Sequence, residues 1–255
     1  MRDVETSVAA LGRIVHLSNK HGCRLHVMGV SSEEEIALLA DVDRGRVTAD
    51  VDLAHLMFDA DTAYAELGTF AQCDPPIRPA RHRDALWRRL REGGFDLVVS
   101  DHAPHTTVEK ARPYPDSPSG MPGVECLLPL MLDRVNAGLI GLDDVARWLC
   151  AGPVRTFGIP RKGRLEVGYD GDLVLIDMAR ERTIDGESTR TKVGWSPYAG
   201  RTVRGWPVMT VVMGRPVFRD GRIVASGGAR ELSYTRNESG QLRPVDSSVR
   251  SWQPG

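Results

Sequence analysis

The sequence predicts an α/β protein built from two parts. In residues 1–160, amphipathic helical segments alternate with short apolar segments, which is the pattern of parallel βα units. From Gly163 onwards, short β-branched runs separated by turn residues replace this alternation, as in antiparallel sheets. One apolar run, Leu97–Val99, ends in the polar segment Asp101-His-Ala-Pro-His105. Functional groups of α/β barrels lie at the carboxyl ends of strands, so we expect the functional site at this segment.

The first part contains three predicted strands, each flanked by helices. Ser32 and Glu35 form a capping-box pattern at the start of the second helix, and Gly22 ends the first. Gly152 and Pro153 are expected to break the last helix. In chain order the predicted elements are a helix over residues 5–20, a strand over 25–30, a helix over 32–40, a strand over 47–51, a helix over 83–92, the strand 97–99, and helices over 124–136 and 142–150.

The second part is predicted to contain only strands. They cover residues 172–177, 183–184, 208–213, 216–218 and 223–224, and the pairs Asp170-Gly171 and Asp220-Gly221 are hairpin signals. The final residues are rich in Ser, Gly, Pro and Arg, a composition typical of flexible segments. The predicted parts are therefore an α/β domain over 1–160, a strand-rich portion over 161–228 and a flexible tail over 229–255.

Composition excludes several classes of partner. The formal net charge is −1, so we expect no nucleic-acid partner. No apolar run approaches the ~20 residues needed to span a bilayer, and the first residues lack the apolar core of a signal peptide. The four cysteines form no Cys-x-x-Cys pair. We expect a soluble cytoplasmic protein with reduced thiols and no membrane partner.

The residue types in Asp101-His-Ala-Pro-His105 permit two interpretations. Asp101 can bind a divalent metal or accept a proton, while His102 and His105 can bind a metal or donate hydrogen bonds to an anionic substrate. The alternative is a capped strand end with two solvated histidines. The spacing of these residues alone does not separate the two.

The neighbouring sequence adds a long family match. The polar segment continues into Glu109-Lys-Ala-Arg-Pro-Tyr-Pro-Asp-Ser-Pro-Ser-Gly-Met-Pro-Gly-Val-Glu125, and this block resembles the dihydroorotases of the cyclic amidohydrolase superfamily. Further matches are Gly22-Cys-Arg-Leu-His-Val-Met-Gly-Val-Ser-Ser32, Cys73-Asp-Pro-Pro-Ile-Arg78, Gly168-Tyr-Asp-Gly-Asp-Leu-Val-Leu-Ile-Asp177 and Gly194-Trp-Ser-Pro-Tyr198. The resemblance extends to about Val224 but covers only the second half of the family's usual length. It implies that residues 1–160 are the C-terminal part of a (β/α)8 TIM barrel, with about three strands, and that residues 161–228 are part of a β-sandwich domain.

The resemblance also implies a chemistry and a set of site residues. Dihydroorotases hydrolyse a C–N bond of a small cyclic amide, dihydroorotate, to N-carbamoyl-aspartate in pyrimidine biosynthesis, with zinc as the expected metal. By this resemblance Asp101 is a metal ligand and the catalytic proton shuttle, and His105 binds the substrate carboxylate. The main chain of Ser119 and Gly120 contacts the substrate ring, and Asp74 lies on the substrate side.

Three positions depart from the family pattern. Gly29 stands where the family has a metal-binding histidine, and Ala54 replaces a second histidine, although His55 is retained. Asp74 replaces an asparagine, and a carboxylate cannot donate the amide's hydrogen bonds and repels an anionic ring. His26 lies near Gly29, but strand alternation directs it to the opposite face, so packing is the preferred interpretation. Because of these departures we expect this chain alone to be impaired or inactive.

Three interpretations of the whole chain follow. It is the C-terminal half of a cyclic amidohydrolase, completed by a partner chain or by a homo-oligomer. Alternatively it is a non-catalytic scaffold subunit, for instance of aspartate carbamoyltransferase, or a truncated product without a role. Eight strands close such a barrel, and three strands leave unpaired edges that favour pairing with another chain. Because the sequence begins just before the first helix, we expect the other half to be absent from this polypeptide.

Overall fold

The computed structural model describes residues 2–186 and 189–234, so most of the predicted tail, from residue 235 on, lies outside the described residues. The strands are β1 (Leu25–Val27), β2 (Val47–Asp52), β3 (Leu97–Val99), β4 (Leu173–Thr183), β5 (Thr202–Val212), β6 (Arg215–Arg219) and β7 (Arg222–Ile223). The α-helices are α1 (Val4–His21), α2 (Glu33–Leu38), α3 (Leu53–Met57), α4 (Ala60–Leu67), α5 (Ala80–Arg91), α6 (Thr107–Lys110), α7 (Val124–Asn136), α8 (Leu142–Ala146) and α9 (Gly152–Phe157). Among the described helices, none is long and apolar enough to cross a membrane.

Strands β1, β2 and β3 form a parallel sheet with β2 in the centre. All residues of β2 are buried, as expected for a strand with neighbours on both edges and layers on both faces. Helix α1 begins at Asp3, whose side chain accepts a hydrogen bond from the Thr6 amide at 2.8 Å, and ends at the left-handed Gly22. The predicted α/β class is confirmed, and the carboxyl ends of the three strands share one edge of the sheet.

The second part is a single antiparallel sheet in the order β4-β5-β6-β7. It packs on α7 through β5: the Asp133 carboxylate accepts from the Arg204 amide at 3.0 Å, and the Asn136 amide donates to the Arg204 carbonyl at 2.7 Å. Gly205 permits this approach, because a Cβ there would lie 2.7 Å from the Leu132 Cβ. The sheet is therefore attached to the helix that follows the predicted functional segment.

Two local expectations in the second part are wrong. Residues 173–183 form one continuous strand, β4, with irregular pairing to β5, instead of the two short strands expected over 172–177 and 183–184. Asp220-Gly221 does form the turn between β6 and β7, but Asp170-Gly171 precedes β4, and the turn between β5 and β6 is Met213-Gly214. Both residues of that turn have positive φ. Methionine rarely adopts such φ values, so the sequence does not indicate a turn at this position.

Gly152 and Pro153 do not end the helical region. A π-helical turn over Arg147–Ala151 leads directly into α9, where Pro153 occupies the first turn and needs no donor N–H. Gly152 is there for packing, because a Cβ at this position would lie 2.0 Å from the Asp96 carbonyl oxygen. Glycine at this position lets the start of α9 contact the residue before β3. Gly152 therefore permits close packing and does not end the helix.

Candidate functional site

The carboxyl ends of the parallel strands bring polar residues together. Gly29 follows β1, Asp50 and Asp52 lie at the end of β2, and Asp101 follows β3. Because β1, β2 and β3 pair in parallel, their carboxyl ends lie at one edge of the sheet, where the loops leave it. The site predicted at Asp101 therefore lies beside the positions where the sequence departs from the family pattern.

Asp50 is fully engaged within the sheet. Its Oδ1 accepts a hydrogen bond from the Gly29 amide at 2.6 Å, and its Oδ2 lies 2.9 Å from the His26 Nε2. The other ring nitrogen of His26, Nδ1, lies 2.9 Å from the Thr48 hydroxyl. His26 thus ties β1 to β2 and contacts the sheet's own polar atoms, which accords with the packing interpretation.

Asp52 and His55 form a second buried pair. The Asp52 Oδ2 lies 3.2 Å from the His55 Nδ1, and the His55 Nε2 lies 3.1 Å from the Pro75 carbonyl oxygen. Gly29 closes the space beside this pair: its φ is +64°, and a Cβ there would be 3.2 Å from both Asp52 Oδ2 and Pro75 Cδ. The volume into which a ligand side chain from β1 would project is occupied by Asp52 and Pro75.

Asp101 differs from these two carboxylates. Its φ is +41°, an unusual value for a non-glycine residue, and within the described part of the chain no hydrogen bond reaches its carboxylate. Burial raises the pKa of Asp101, the Asp52 charge raises it further, and His55 opposes the shift. Asp50 and Asp74 contribute in the same direction as Asp52, so three neighbouring carboxylates raise the pKa of Asp101.

The two histidines that follow Asp101 have different partners. The His102 Nδ1 accepts hydrogen bonds from the Gly123 and Val124 amides at 3.2 and 3.3 Å, at the start of α7. The His105 Nε2 donates to the Ser119 carbonyl oxygen at 3.1 Å. His102 therefore acts as a helix cap, whereas His105 holds the chain segment predicted to contact a substrate ring.

That segment lies against the polar strand end. Gly120 has a φ of +128°, and a Cβ there would be only 2.5 Å from the Ala103 carbonyl oxygen, so only glycine permits this contact. The Gly120 amide donates to the Gln72 carbonyl at 2.9 Å. The structure thus brings together His105, Ser119 and Gly120, and their contacts with a substrate stay predictions.

Asp74 lies at the rim, with a side chain that is 62% exposed. Its Oδ2 is 3.9 Å from the guanidinium of Arg2, which also donates to the Ser119 hydroxyl at 2.7 Å. Sequence reasoning missed Arg2. The available signal was its place just before α1, because helices of βα units begin at the edge where strands end.

The described residues do not fit the family's metal pair. Gly29 and Ala54 carry no ligating side chain, and within residues 2–186 and 189–234 no group of three His, Cys, Asp or Glu side chains is arranged to hold a metal ion. Asp101 is left as a single candidate ligand. The four cysteines are free thiols in the described residues, and Cys73 and Cys126 are buried.

The fold and the strand-end site define the class of protein. The chain belongs to the amidohydrolase family, whose sequence profile matches residues 4–217. Within that class it is similar to dihydroorotases. Dihydroorotase of Halobacterium salinarum is 37% identical over 231 residues, which are 91% of this chain and 53% of that protein. Dihydroorotase of Pyrococcus furiosus is 34% identical over 217 residues, 85% of this chain and 50% of that protein.

Solved structures give the same fold. L-hydantoinase (dihydropyrimidinase) from Arthrobacter aurescens superposes with a TM-score of 0.83 at 30% identity, over 88% of this chain and 51% of that chain. D-hydantoinase from Bacillus sp. AR9 gives a TM-score of 0.82 at 26% identity, over 95% and 54%. The chain spans about half the length of the relatives it matches. The prediction of a partial amidohydrolase barrel with part of a β-sandwich is confirmed.

Proposed function

We propose that this chain is the C-terminal half of a dihydroorotase-like cyclic amidohydrolase and that it requires a complementary half for turnover. The observation that carries the proposal is Asp101, a carboxylate of raised pKa at the tip of β3. Hydrolysis of a cyclic amide needs a proton to reach the departing nitrogen. A carboxylate whose pKa is raised takes up and releases that proton more readily near neutral pH. Asp101 is therefore the proposed catalytic residue.

The proposed substrate is a small cyclic amide, with dihydroorotate as the first candidate in pyrimidine biosynthesis in the cytoplasm. His105 and the main chain of Ser119 and Gly120 are the proposed contacts with the ring. Asp74 is a proposed rim contact, and its negative charge disfavours an anionic ring unless Arg2 offsets it. A neutral ring such as hydantoin is therefore the natural comparison in any assay.

Zinc remains a family expectation that the described residues do not satisfy by themselves. Asp101 supplies one proposed ligand, so the others would have to come from a partner chain or another copy that also completes the barrel. Among the described strands, β1 and β3 each have only β2 as a neighbour, so their outer edges are the places at which such a segment would pair. The proposed partner is therefore a half-barrel that contributes both strands and ligands.

A second candidate is a non-catalytic dihydroorotase-like subunit, for example of aspartate carbamoyltransferase. It is favoured by Gly29 and Ala54, which lack ligating groups, and by the internal hydrogen bonds that already occupy Asp50. In this case the strand ends serve only to hold the sheet together. The Asp101 segment would then be retained without turnover.

One experiment separates the two candidates. Bound metal per chain is measured on protein purified without chelator from its native host, so that a complementary half or further copies co-purify, and hydrolysis of dihydroorotate and of hydantoin is assayed on the same assembly. The amidohydrolase proposal expects metal and turnover in that assembly. Asp101→Asn should lower the bound metal and reduce turnover at least about 100-fold, since general acid–base groups contribute about 100-fold to 10,000-fold. Asp41→Asn, on an exposed turn, is the control and should change neither.

Each outcome has a definite meaning. A folded assembly that contains a second chain or further copies and shows neither metal nor turnover supports the non-catalytic subunit. Metal and turnover that survive Asp101→Asn would show that Asp101 is neither the proton shuttle nor a ligand.

A further inference from the structure

Lys110, the last residue of α6, is a fully buried lysine. Its Nζ donates to the Gln72 carbonyl oxygen and to the Pro118 carbonyl oxygen, each at 2.9 Å. Among the residues that the structure describes, no carboxylate lies within ion-pair distance of this ammonium group. A buried cation without a counterion is costly, so its retention calls for an explanation.

The carbonyls that Lys110 binds belong to two different segments, Gln72–Asp74 and Ser117–Gly120. The Gln72 carbonyl also accepts from the Gly120 amide at 2.9 Å, and the Gln72 side chain donates to the Ser117 carbonyl at 2.8 Å. The Ser117 hydroxyl in turn donates to the Lys110 carbonyl at 3.2 Å. Lys110 therefore lies between the two segments and is bonded to both.

We propose that Lys110 is a positioning residue whose buried amine fixes the separation of Gln72–Asp74 from Ser117–Gly120. These segments carry the proposed substrate contacts. Their link to a substrate rests on the proposed function, but the positioning by Lys110 does not. The positioning itself is a property of the ligand-free chain. It can therefore be tested without any substrate.

The charge state of Lys110 gives the proposal a distinctive signature. Burial lowers the pKa of Lys110 from its usual 10.5 to about 8. The titratable group that faces it is the Cys73 thiol, whose own pKa is raised by burial to about 12, so this neighbour stays neutral. The side chains of Arg112 and Asp116 belong to exposed residues on the solvent side. A neutral amine keeps two N–H donors, so both hydrogen bonds survive deprotonation.

The sign of the pH effect follows from linkage. When the segments separate, water reaches Lys110 and its pKa returns towards 10.5, so protons bind more tightly to the open form than to the closed one. Below pH 8 both forms are charged and the closed form bears the full desolvation cost. Between about pH 8 and 10.5 the closed form loses its proton first, so closure becomes more favourable, by at most about 300-fold.

The test is hydrogen exchange of the Gly120 amide in ligand-free protein at pH 7 and pH 10, corrected for the intrinsic rate and read by quench-flow mass spectrometry. In the wild type we expect the protection of the Gly120 amide to rise at least about 10-fold from pH 7 to pH 10, which is part of the maximum effect of pH on closure. The Asp96 amide, bonded to the Ala49 carbonyl at 2.9 Å in the parallel sheet, serves as the internal reference. The protection of the Asp96 amide should not rise with pH as that of the Gly120 amide does.

Three variants sharpen the test. Lys110→Met should lower Gly120 protection at pH 7 and abolish its rise. Gln72→Leu removes the side-chain bond to Ser117 but keeps the carbonyl that Lys110 binds, so it should lower protection and retain the rise. Lys162→Met removes a lysine that binds Asp170 and Asp172 in the second part, and it should leave Gly120 unchanged.

A merely structural role predicts a different set of results. There, Lys110→Met would lower the protection of Gly120 and Asp96 together and reduce stability to denaturant. Positioning by a buried charge predicts local loss at Gly120 with global stability equal or higher. The proposal is overturned if wild-type Gly120 protection does not rise with pH, and this measurement stands even if Lys110→Met fails to fold.

Discussion

The carboxyl ends of β1 and β2 differ from the end of β3 in how their acidic groups are satisfied. At β2, Asp50 binds the Gly29 amide and His26, and Asp52 lies against His55. At β3, Asp101 has positive φ and a raised pKa. All three strands end at one edge of one sheet, so position alone does not distinguish them. The difference is that the β1–β2 end is closed by its own side chains, whereas the β3 end is not.

This contrast concerns the space beside Gly29, where the family pattern has a histidine. That space is not empty in this chain. Gly29 is the enabling residue, because its lack of a side chain lets Asp52 and Pro75 occupy the space next to β1. Returning a ligand to β1 would force both to move. The lack of a side chain at Gly29 and the internal contacts of Asp50 and Asp52 are therefore parts of one packed arrangement, which favours a structural role for this end of the sheet.

The largest effect is expected from breaking the closed end at Asp50. Asp50→Ala leaves the Gly29 amide and the His26 Nε2 without their buried acceptor, and we expect a loss of about 3 kcal/mol in the free energy of unfolding. Urea denaturation at pH 7 measures it. The matched control is Asp43→Ala: its carboxylate also accepts from a glycine amide, that of Gly45, but its side chain is 58% exposed.

The control should lose less than about 1 kcal/mol, since exposed polar contacts contribute little. If the two alanine variants lost the same free energy, the β1–β2 end would not be the closed, buried cluster that the distances indicate.

A smaller loss of stability is expected at Gly29. Comparing it with Gly22 separates steric contact of the new side chain from backbone strain. Gly29→Ala and Gly22→Ala both place a side chain at positive φ, +64° and +65°, but only Gly29 has atoms within 4 Å of the new Cβ. Left-handed backbone costs about 1 kcal/mol for alanine at either site. We expect Gly29→Ala to cost about 1 kcal/mol more, through contact with Asp52 and Pro75.

The comparison is made by thermal and urea unfolding of the two variants side by side. Equal losses would mean that the space beside β1 is open, and a restored ligand there would then be feasible. A larger loss for Gly29→Ala would show that the space is filled, as the positions of Asp52 and Pro75 indicate.

Much of the fold followed from local patterns. Helix α7 and strand β3 lie where periodicity and β-branched runs predict them, because these elements bury one continuous apolar face. The failures are tertiary. Gly152 reads as a helix breaker, yet contact with Asp96 requires a glycine within the helix. Met213 starts a turn although methionine is a poor turn residue.

The sequence nominates single positions of the candidate site but not the connections between them. The resemblance nominates Asp101, His105, Ser119 and Gly120 and the absent ligand at Gly29, because each stands in a recognisable motif, and their roles stay predictions. Lys110 lies inside the same block, but nothing in its local sequence reveals that it is fully buried between two carbonyls. Hydrogen bonds between segments about 40 residues apart depend on tertiary placement, which periodicity does not encode.

The smallest expected effect concerns the open end at β3. Because burial and Asp52 raise the pKa of Asp101, the folded state binds this proton more tightly than the unfolded chain does. Stability therefore falls as pH rises from the unfolded pKa near 4 through the folded pKa, and at neutral pH the charged carboxylate is a net cost. Asp101→Asn removes that cost. Since the residue is partly exposed, we expect a gain of only about 0.5 kcal/mol at pH 7 and none at pH 3.

Urea denaturation at the two pH values measures this difference, with Asp41→Asn as the exposed control. A loss of stability at pH 7 would mean that Asp101 is satisfied by partners, as Asp50 is, and the two ends of the sheet would then be alike. A gain confined to pH 7 would identify Asp101 as the carboxylate that the fold retains at an energetic cost, which is the property expected of a residue kept for chemistry rather than for stability.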